Sequence, residues 1–324
     1  VYYTPETRLG FGAVGLYSFR FKGESKTSRN SQFQFGGAYT QEDQLLFYLP
    51  FQLYKKNEEF FAFGELGYYK YSYFFFGVGN EIPKDYEEVY NVNFPRVRLN
   101  AMKMIAPNFY FGFRYWFDQY DMVKREEGSL LGTNQVVGSE GGIVSSLGLI
   151  SIYDTRDNYN FPSQGSFLTL LALPNLPAFG SDFEFTRFSV DYVKFYNVNK
   201  RNIFALNAFG VAIAGEPPFN EMAFIGGRGK MRGYYEGQFR DRNLAMLQVE
   251  YRRMLFWKVG MVAFAGTGVV DRYVDQMALN NLKITGGLGL RYQLDPKEKI
   301  NIRFDYGIGE DGNSGVYVTI GEAF

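Results

Sequence analysis

Apolar and polar side chains alternate along most of this chain. In residues 300–306, Ile300, Ile302, Phe304 and Tyr306 hold the even positions, and Asn301, Arg303 and Asp305 the odd ones. Leu282, Ile284, Leu288, Leu290, Tyr292 and Leu294 share one face of their segment, opposite Lys283, Thr285, Arg291 and Gln293. Phe109, Phe111, Phe113, Tyr115 and Phe117 lie opposite Arg114 and Asp118, and Leu45, Phe47, Leu49, Phe51 and Leu53 fall together. A period of two predicts strands with one apolar and one polar face. Polar turn signals such as Lys55-Lys56-Asn57, Ala106-Pro107-Asn108 and Asp295-Pro296-Lys297 punctuate the pattern. About sixteen strands result, at 1–5, 9–21, 32–40, 44–54, 60–71, 91–104, 108–120, 141–154, 166–173, 182–196, 203–214, 244–254, 259–270, 282–294, 299–307 and 316–324. The segments at 60–71 and 166–173 alternate poorly.

Short turns alternate with longer polar stretches at 80–90, 124–140 and 215–243, the pattern of outer-membrane barrels. Side chains can fill a barrel of about eight strands, whereas larger barrels hold an aqueous channel or a plug. Sixteen strands could not turn all their aromatic residues inward, so the apolar face is expected to meet lipid and the polar face a lumen. No linker or composition shift divides the chain into stacked soluble sandwiches. The expected fold is therefore all-β: one transmembrane antiparallel β-barrel domain over residues 1–324 in the bacterial outer membrane, with outer-membrane lipids as partners.

Composition narrows the chemistry. The 324 residues hold 34 Phe and 26 Tyr, which favour strands, and no apolar run is long enough for a membrane helix. With 34 basic and 34 acidic residues the net charge is zero, which gives no reason to expect nucleic acid. There is no Cys and no His, so thiol chemistry and the usual general base are absent. No metal site, cofactor or enzymatic activity is expected. Acidic groups such as Glu126-Glu127 and Asp85-Tyr86-Glu87-Glu88 read as solvated loop residues. The start at Val1-Tyr2-Tyr3 lacks a signal peptide, as in a mature or trimmed chain. At the other end, Val316, Val318, Ile320 and Phe324 are expected on one face of a last strand, with Tyr317 and Thr319 on the other. A terminal aromatic in this setting resembles the targeting signal of outer-membrane barrels, although Glu322 sits where an apolar residue is usual.

The long break at 215–243 contains Met231-Arg232-Gly233-Tyr234 within a glycine-rich run that includes Gly226, Gly227, Gly229 and Gly237. This tetrapeptide resembles the Val-Arg-Gly-Phe/Tyr motif of the BamA/TamA/FhaC superfamily, the bacterial surface antigen family. Asp154, Arg156 and Asp157, followed by Phe161, Pro162 and Gly165, resemble that family's periplasmic turn after strand eight. The resemblance spans the chain and implies a sixth extracellular loop folded into the lumen, between strands eleven and twelve. It also implies acidic partners for the loop arginine on strands twelve and thirteen. Glu250 has the required parity. The strand-thirteen Phe-x-Asp-x-Gly is here Phe264-Ala265-Gly266-Thr267-Gly268, with Gly in place of Asp. Arg232 is thus expected to pair with Glu250, with Asp305 on the polar face of 299–307 as the alternative. A guanidinium fork suits such a carboxylate, and the pair would set the loop's position.

By resemblance, such barrels insert outer-membrane proteins or export polypeptides through a weak seam between first and last strands. The short first strand, and Gly321 near the end of the last, fit such a seam. The strands use every residue, so no periplasmic POTRA module is expected. The sequence leaves three functions open: an insertase or translocase acting on an unfolded outer-membrane protein or secreted polypeptide, an anchor for a separate enzymatic domain, or a passive pore. It also leaves open whether the chain forms a homo-oligomer.

Overall fold

The computed structural model describes residues 2–4, 8–80, 83, 85–199 and 201–324. In the first predicted strand, Val1 and Pro5 lie outside the described residues. The strands are β1 (Tyr2–Thr4), β2 (Arg8–Phe19), β3 (Ser31–Thr40), β4 (Leu45–Lys55), β5 (Phe60–Phe75), β6 (Glu88–Ala106), β7 (Phe109–Lys124), β8 (Gly141–Asp154) and β9 (Gly165–Asn175). They continue with β10 (Phe185–Asn199), β11 (Asn202–Gly215), β12 (Ala223–Ile225), β13 (Phe239–Asp241), β14 (Asn243–Phe256), β15 (Val259–Asp271), β16 (Lys283–Asp295), β17 (Ile300–Gly309) and β18 (Ser314–Ile320). Sixteen of them form one large sheet, paired antiparallel between neighbours, with β14 following β11 directly. The short β12 and β13 pair only with each other, inside the connection from β11 to β14. At the ends of the order, the described residues of β1 and β18 meet in the single pair Tyr3↔Val318, while β17 and β18 share seven pairs.

The alternation read from the sequence separates the two faces. One face is bare and carries Phe11, Phe35, Phe47, Phe113, Leu149, Phe188, Phe204, Leu247, Leu288 and Phe304, all exposed. The opposite face is covered by the β11–β14 connection over much of its area, and there Asn100, Asp118, Asn207, Gln248, Glu250, Arg252, Arg291, Arg303 and Asp305 are buried. A polar side chain is buried at low cost only where partners satisfy it. The covering does not reach β2, where Val14 and Leu16 point to the same side and remain 62% and 59% exposed.

Three differences from the predicted elements have physical causes. β5, β6 and β7 run past the predicted ends because Phe75, Tyr90, Val92, Phe94 and Tyr120 join a core with Leu131, Phe219, Ile225 and Met231 from the long connections. Hydrophobic packing there extends the strands where parity alone gives no signal. β9 alternates poorly because Leu171 and Leu173, on the polar side of the sheet, pack with Met102, Tyr110, Ile150 and Ile152. The last strand ends at Ile320, not at Phe324: Gly321 adopts φ 89°, and the last four residues leave the sheet.

Placing a charge on the bare face should be costly if lipid covers it. Leu288→Arg, at a position 62% exposed, should destabilise the protein in lipid vesicles by about 2–4 kcal/mol in urea titrations. Gln34→Arg on the other face should cost little. Equal losses in the two variants would count against lipid on the bare face.

Candidate functional site

The connection from β11 to β14 begins with a short 3-10 turn at Phe219–Glu221, then forms the β12–β13 ribbon around the glycine-rich tip. Its backbone lies directly on β17. Gly233 has φ 118°, and a Cβ there would stand 2.6 Å from the Ile308 carbonyl carbon; a Cβ on Gly307 would come 2.6 Å from the Arg232 carbonyl. Only glycine at both positions allows two backbones to approach this closely. Met231 also takes a positive φ of 57°, a strained conformation for a residue with a side chain. Its amide donates to the Gln248 side-chain carbonyl at 2.7 Å.

Arg232 is 1% exposed. One terminal nitrogen binds Glu250 of β14 in a short ion pair, and the other donates to Asp305 of β17 at 2.5 Å. The guanidinium lies 3.6 Å from the Phe264 ring centroid, a cation–π contact. The Thr285 hydroxyl donates to the Arg232 carbonyl. Sequence treats Asp305 as an alternative to Glu250; the structure brings both to the same arginine. Gly266 faces the site, and a Cβ there would sit 3.0 Å from both Met231 Sδ and Gln248 Cγ. Any side chain at 266 would therefore press on the Met231 side chain of the loop, and Asp305 supplies a carboxylate from two strands further on.

Sequence reasoning missed the groups around this pair. Arg252 Nε donates to Glu250 at 2.8 Å, Arg291 contacts Asp305 at 2.5 Å and Glu322 at 2.8 Å, and Arg303 stands 3.5 Å from Asp305. Four guanidiniums thus surround three carboxylates, all almost wholly buried. The missed signal was parity: Arg252 is two residues from Glu250, and Arg291 and Arg303 occupy polar-face positions. Tyr234 is fixed as well, its hydroxyl donating to the Ile284 carbonyl at 2.8 Å and accepting from the Glu310 amide at 2.9 Å. The Gly233 amide donates to the Tyr317 hydroxyl of β18 at 3.1 Å.

The 154–165 turn is built locally. Arg156 forms a two-point pair with Asp154 at 2.9 and 3.0 Å and stacks 4.1 Å from the Phe167 centroid. Asp157 accepts from the Ser163 amide at 2.8 Å, the Ser163 hydroxyl at 2.5 Å and the Gln164 amide at 3.2 Å. Pro162 is buried, and Gly165 has φ 99° where a Cβ would stand 2.1 Å from the Thr155 carbonyl oxygen. Phe161 joins Val193, Phe195, Ile203 and Ala205 in a small core that Phe324 also packs against. Phe324 is therefore not on the apolar face with Val316, Val318 and Ile320, as the sequence predicts. The turn at Gly321 carries it inward, where Arg252 donates to its carbonyl at 2.9 Å. Arg252 lies within 6 Å of the rings of Phe161, Phe195 and Phe324, so the neighbourhoods of the two sequence motifs meet at this side chain. Among the described residues, no group of three or more His, Cys, Asp or Glu side chains is placed to hold a metal ion.

Residues 32–324 match the family model of the Omp85 superfamily domain. The chain belongs to the Omp85 superfamily. Barrels of this family reside in outer membranes, which accounts for a large sheet with a bare apolar face. The fold is similar to that of BamA from Haemophilus ducreyi lacking POTRA domains 1–3, at 14% identity and a TM-score of 0.66, over 99% of this chain and 69% of that one. It is also similar to CdiB from Acinetobacter baumannii (12% identity, TM-score 0.63, 98% of this chain and 57% of that one). CdiB from Escherichia coli aligns at 12% identity and a TM-score of 0.60, over 95% of this chain and 62% of that one. The chain thus spans less than two thirds of either CdiB chain. No curated protein matches it in sequence.

Two predictions follow from this geometry. Arg232→Ala leaves Glu250 and Asp305 buried with one fewer partner each, which should cost about 3–5 kcal/mol and expose Tyr234 to protease and hydrogen exchange. Unchanged protection of Tyr234 would show that the pair does not hold the loop. For Asp157, burial opposes ionisation, but hydrogen bonds from Ser163 and Gln164, with Lys299 nearby, outweigh it and hold the carboxyl below its ordinary range. Its stabilisation is present above the unfolded value of about 3.9 and is lost as pH falls through the lower folded value. Asp157→Asn should lower the thermal midpoint near neutral pH, with the gap to the parent closing in acid. A gap that persists unchanged at about pH 2 would mean that the carboxylate's charge contributes nothing.

Proposed function

We propose that residues 1–324 form a single outer-membrane barrel of the assembly or translocation type, closed through β1 and β18, that acts on polypeptides. In this reading the 216–242 connection is the sixth extracellular loop, seated in the lumen as a plug. The β1–β18 seam opens laterally to let a client strand or segment pass toward lipid. The observation that carries the reading is the seating of Arg232 between Glu250 on β14 and Asp305 on β17, which supports a loop held inside the sheet rather than free above it. Two others agree with it. The connections build a buried aromatic core at one end of the sheet, which disfavours an open diffusion pore. Among the described residues β1 and β18 share one ladder pair against seven between β17 and β18, which supports a weak join, since each further pair adds hydrogen bonds and side-chain contact.

The absence of native cysteine permits a direct test. Tyr3→Cys with Val318→Cys places two thiols on facing residues of an antiparallel pair, a spacing a disulfide can span. Oxidation should abolish acceleration of client insertion when the protein is reconstituted in liposomes with an unfolded barrel substrate, and reductant should restore it. Equal activity of the oxidised and reduced forms would overturn the seam mechanism.

A further inference from the structure

We propose that Arg98, Arg114 and Arg187 form a binding site for a phosphoryl anion on the covered face of the sheet. The three come from β6, β7 and β10: β6 pairs directly with β7, setting Arg98 opposite Trp116 and Asn100 opposite Arg114, and β10 lies beyond β8 and β9. Arg98 and Arg114 share the ring of Trp116, at 3.9 and 5.3 Å from its centroid. Arg98 and Arg187 are the charged neighbours that Arg114 feels. In the strand ladder Arg114 stands opposite Gly148, which packs against Leu173, the residue paired with Arg187. A Cβ on Gly148 would stand 2.1 Å from the Ala172 carbonyl oxygen, so glycine there lets β8 and β9 approach closely between the two arginines.

The acids nearby already have partners, and Asp118 counts Arg98 itself among its own. Asp118 takes a two-point contact from Arg96 at 3.0 and 3.1 Å, besides its bond to Arg98 at 2.7 Å. The Glu221 carboxylate accepts from the Tyr120 hydroxyl at 2.8 Å, Glu65 from the Tyr69 hydroxyl at 2.6 Å, and Asp191 binds Asn207 and Lys230. A guanidinium carries five N–H donors. Arg114 donates one hydrogen bond, to the Asn100 side chain at 2.6 Å, and Arg187 one, to the Glu221 carbonyl at 2.9 Å. Arg98 Nε is buried with no partner.

Three half-buried forks that repel one another and keep most of their donors open are stabilised by an anion with several oxygens. A carboxylate offers two oxygens, which a single arginine satisfies; a phosphoryl group offers enough for several forks at once. The site takes either a free phosphate anion or the phosphate of a lipid headgroup, and it does not depend on whether the seam opens.

The two tryptophans make the site readable, since Trp116 lies in it and Trp257 is 75% exposed at a turn. In a Trp257→Phe background, purified in a phosphate-free maltoside detergent, pyrophosphate titrated at constant ionic strength should change Trp116 fluorescence saturably. Arg114→Gln and Arg187→Gln should each weaken binding by about tenfold or more, the loss of a charge-assisted fork. Arg253→Gln, exposed on the opposite face, should bind as the parent does. Heat-modifiable gel migration checks that each variant is folded. Dihexanoyl phosphatidic acid that displaces pyrophosphate would assign the site to a lipid phosphate as well, and failure to displace it would assign the site to free anions. Fluorescence that follows chloride equally, or parental affinity in both folded site variants, would overturn the proposal.

Discussion

A guanidinium almost wholly removed from water dictates the arrangement around it. A guanidinium buried without carboxylates in contact is strongly destabilising, and the two that serve Arg232 come from different strands. Glu250 sits on β14 and Asp305 on β17, with β15 and β16 between them. One arginine reaches both only if the loop enters at one depth and the four strands hold one register. Each carboxylate is shared in turn, Glu250 with Arg252 and Asp305 with Arg291, and Arg291 continues the chain to Glu322. Buried networks of this kind often add little net stability over an apolar alternative. Their consequence is position: loop, strands and tail must all be in place for any of the charges to be satisfied.

The close approach of Gly233 and Gly307 serves the same constraint, since it allows the loop backbone to lie against β17 at the depth where Arg232 meets its partners. Above that contact the loop packs into an aromatic core; below it Arg252 reaches the small core that holds Phe161 and Phe324. Covering is uneven around the sheet. β14 to β18 are bound to the loop by charge, hydrogen bond and packing, while β2 keeps both faces exposed and β1 meets β18 through a single described pair. Local opening concentrates where buried contacts are few, and β2, exposed on both faces, has few of them.

How much of this could be read in advance depends on the range of the forces involved. The two-residue period of 282–294 and 300–306 gave β16 and β17 nearly to the residue, because side-chain alternation follows from strand geometry within one segment. The same parity put Glu250, Arg291 and Asp305 on the polar face. β9 was hard to read because Leu171 and Leu173 pack across the polar side against Ile150 and Met102, so both faces are apolar there. The extra length of β5 to β7 was hidden for a related reason: it rests on contacts with residues 131 and 219–225, which have no local signature. The tail misled because alternation predicts only that a strand can continue, whereas Gly321 with a positive φ and the pull of Arg291 and Asn301 on Glu322 turn it inward.

Period, turns and parity belong to the chain itself, and they determined a many-stranded antiparallel sheet with an apolar and a polar face. Which polar-face residues meet was decided only when distant strands came side by side. Arg98, Arg114 and Arg187 are separated along the chain and converge on one patch; Arg232 meets both Glu250 and Asp305 because β14 and β17 stand with two strands between them in the completed sheet. Alternation is set by bonds between adjacent residues, but a buried charge is satisfied by whatever the completed sheet places within about 3 Å of it, and that distance is fixed by register and curvature, not by sequence spacing.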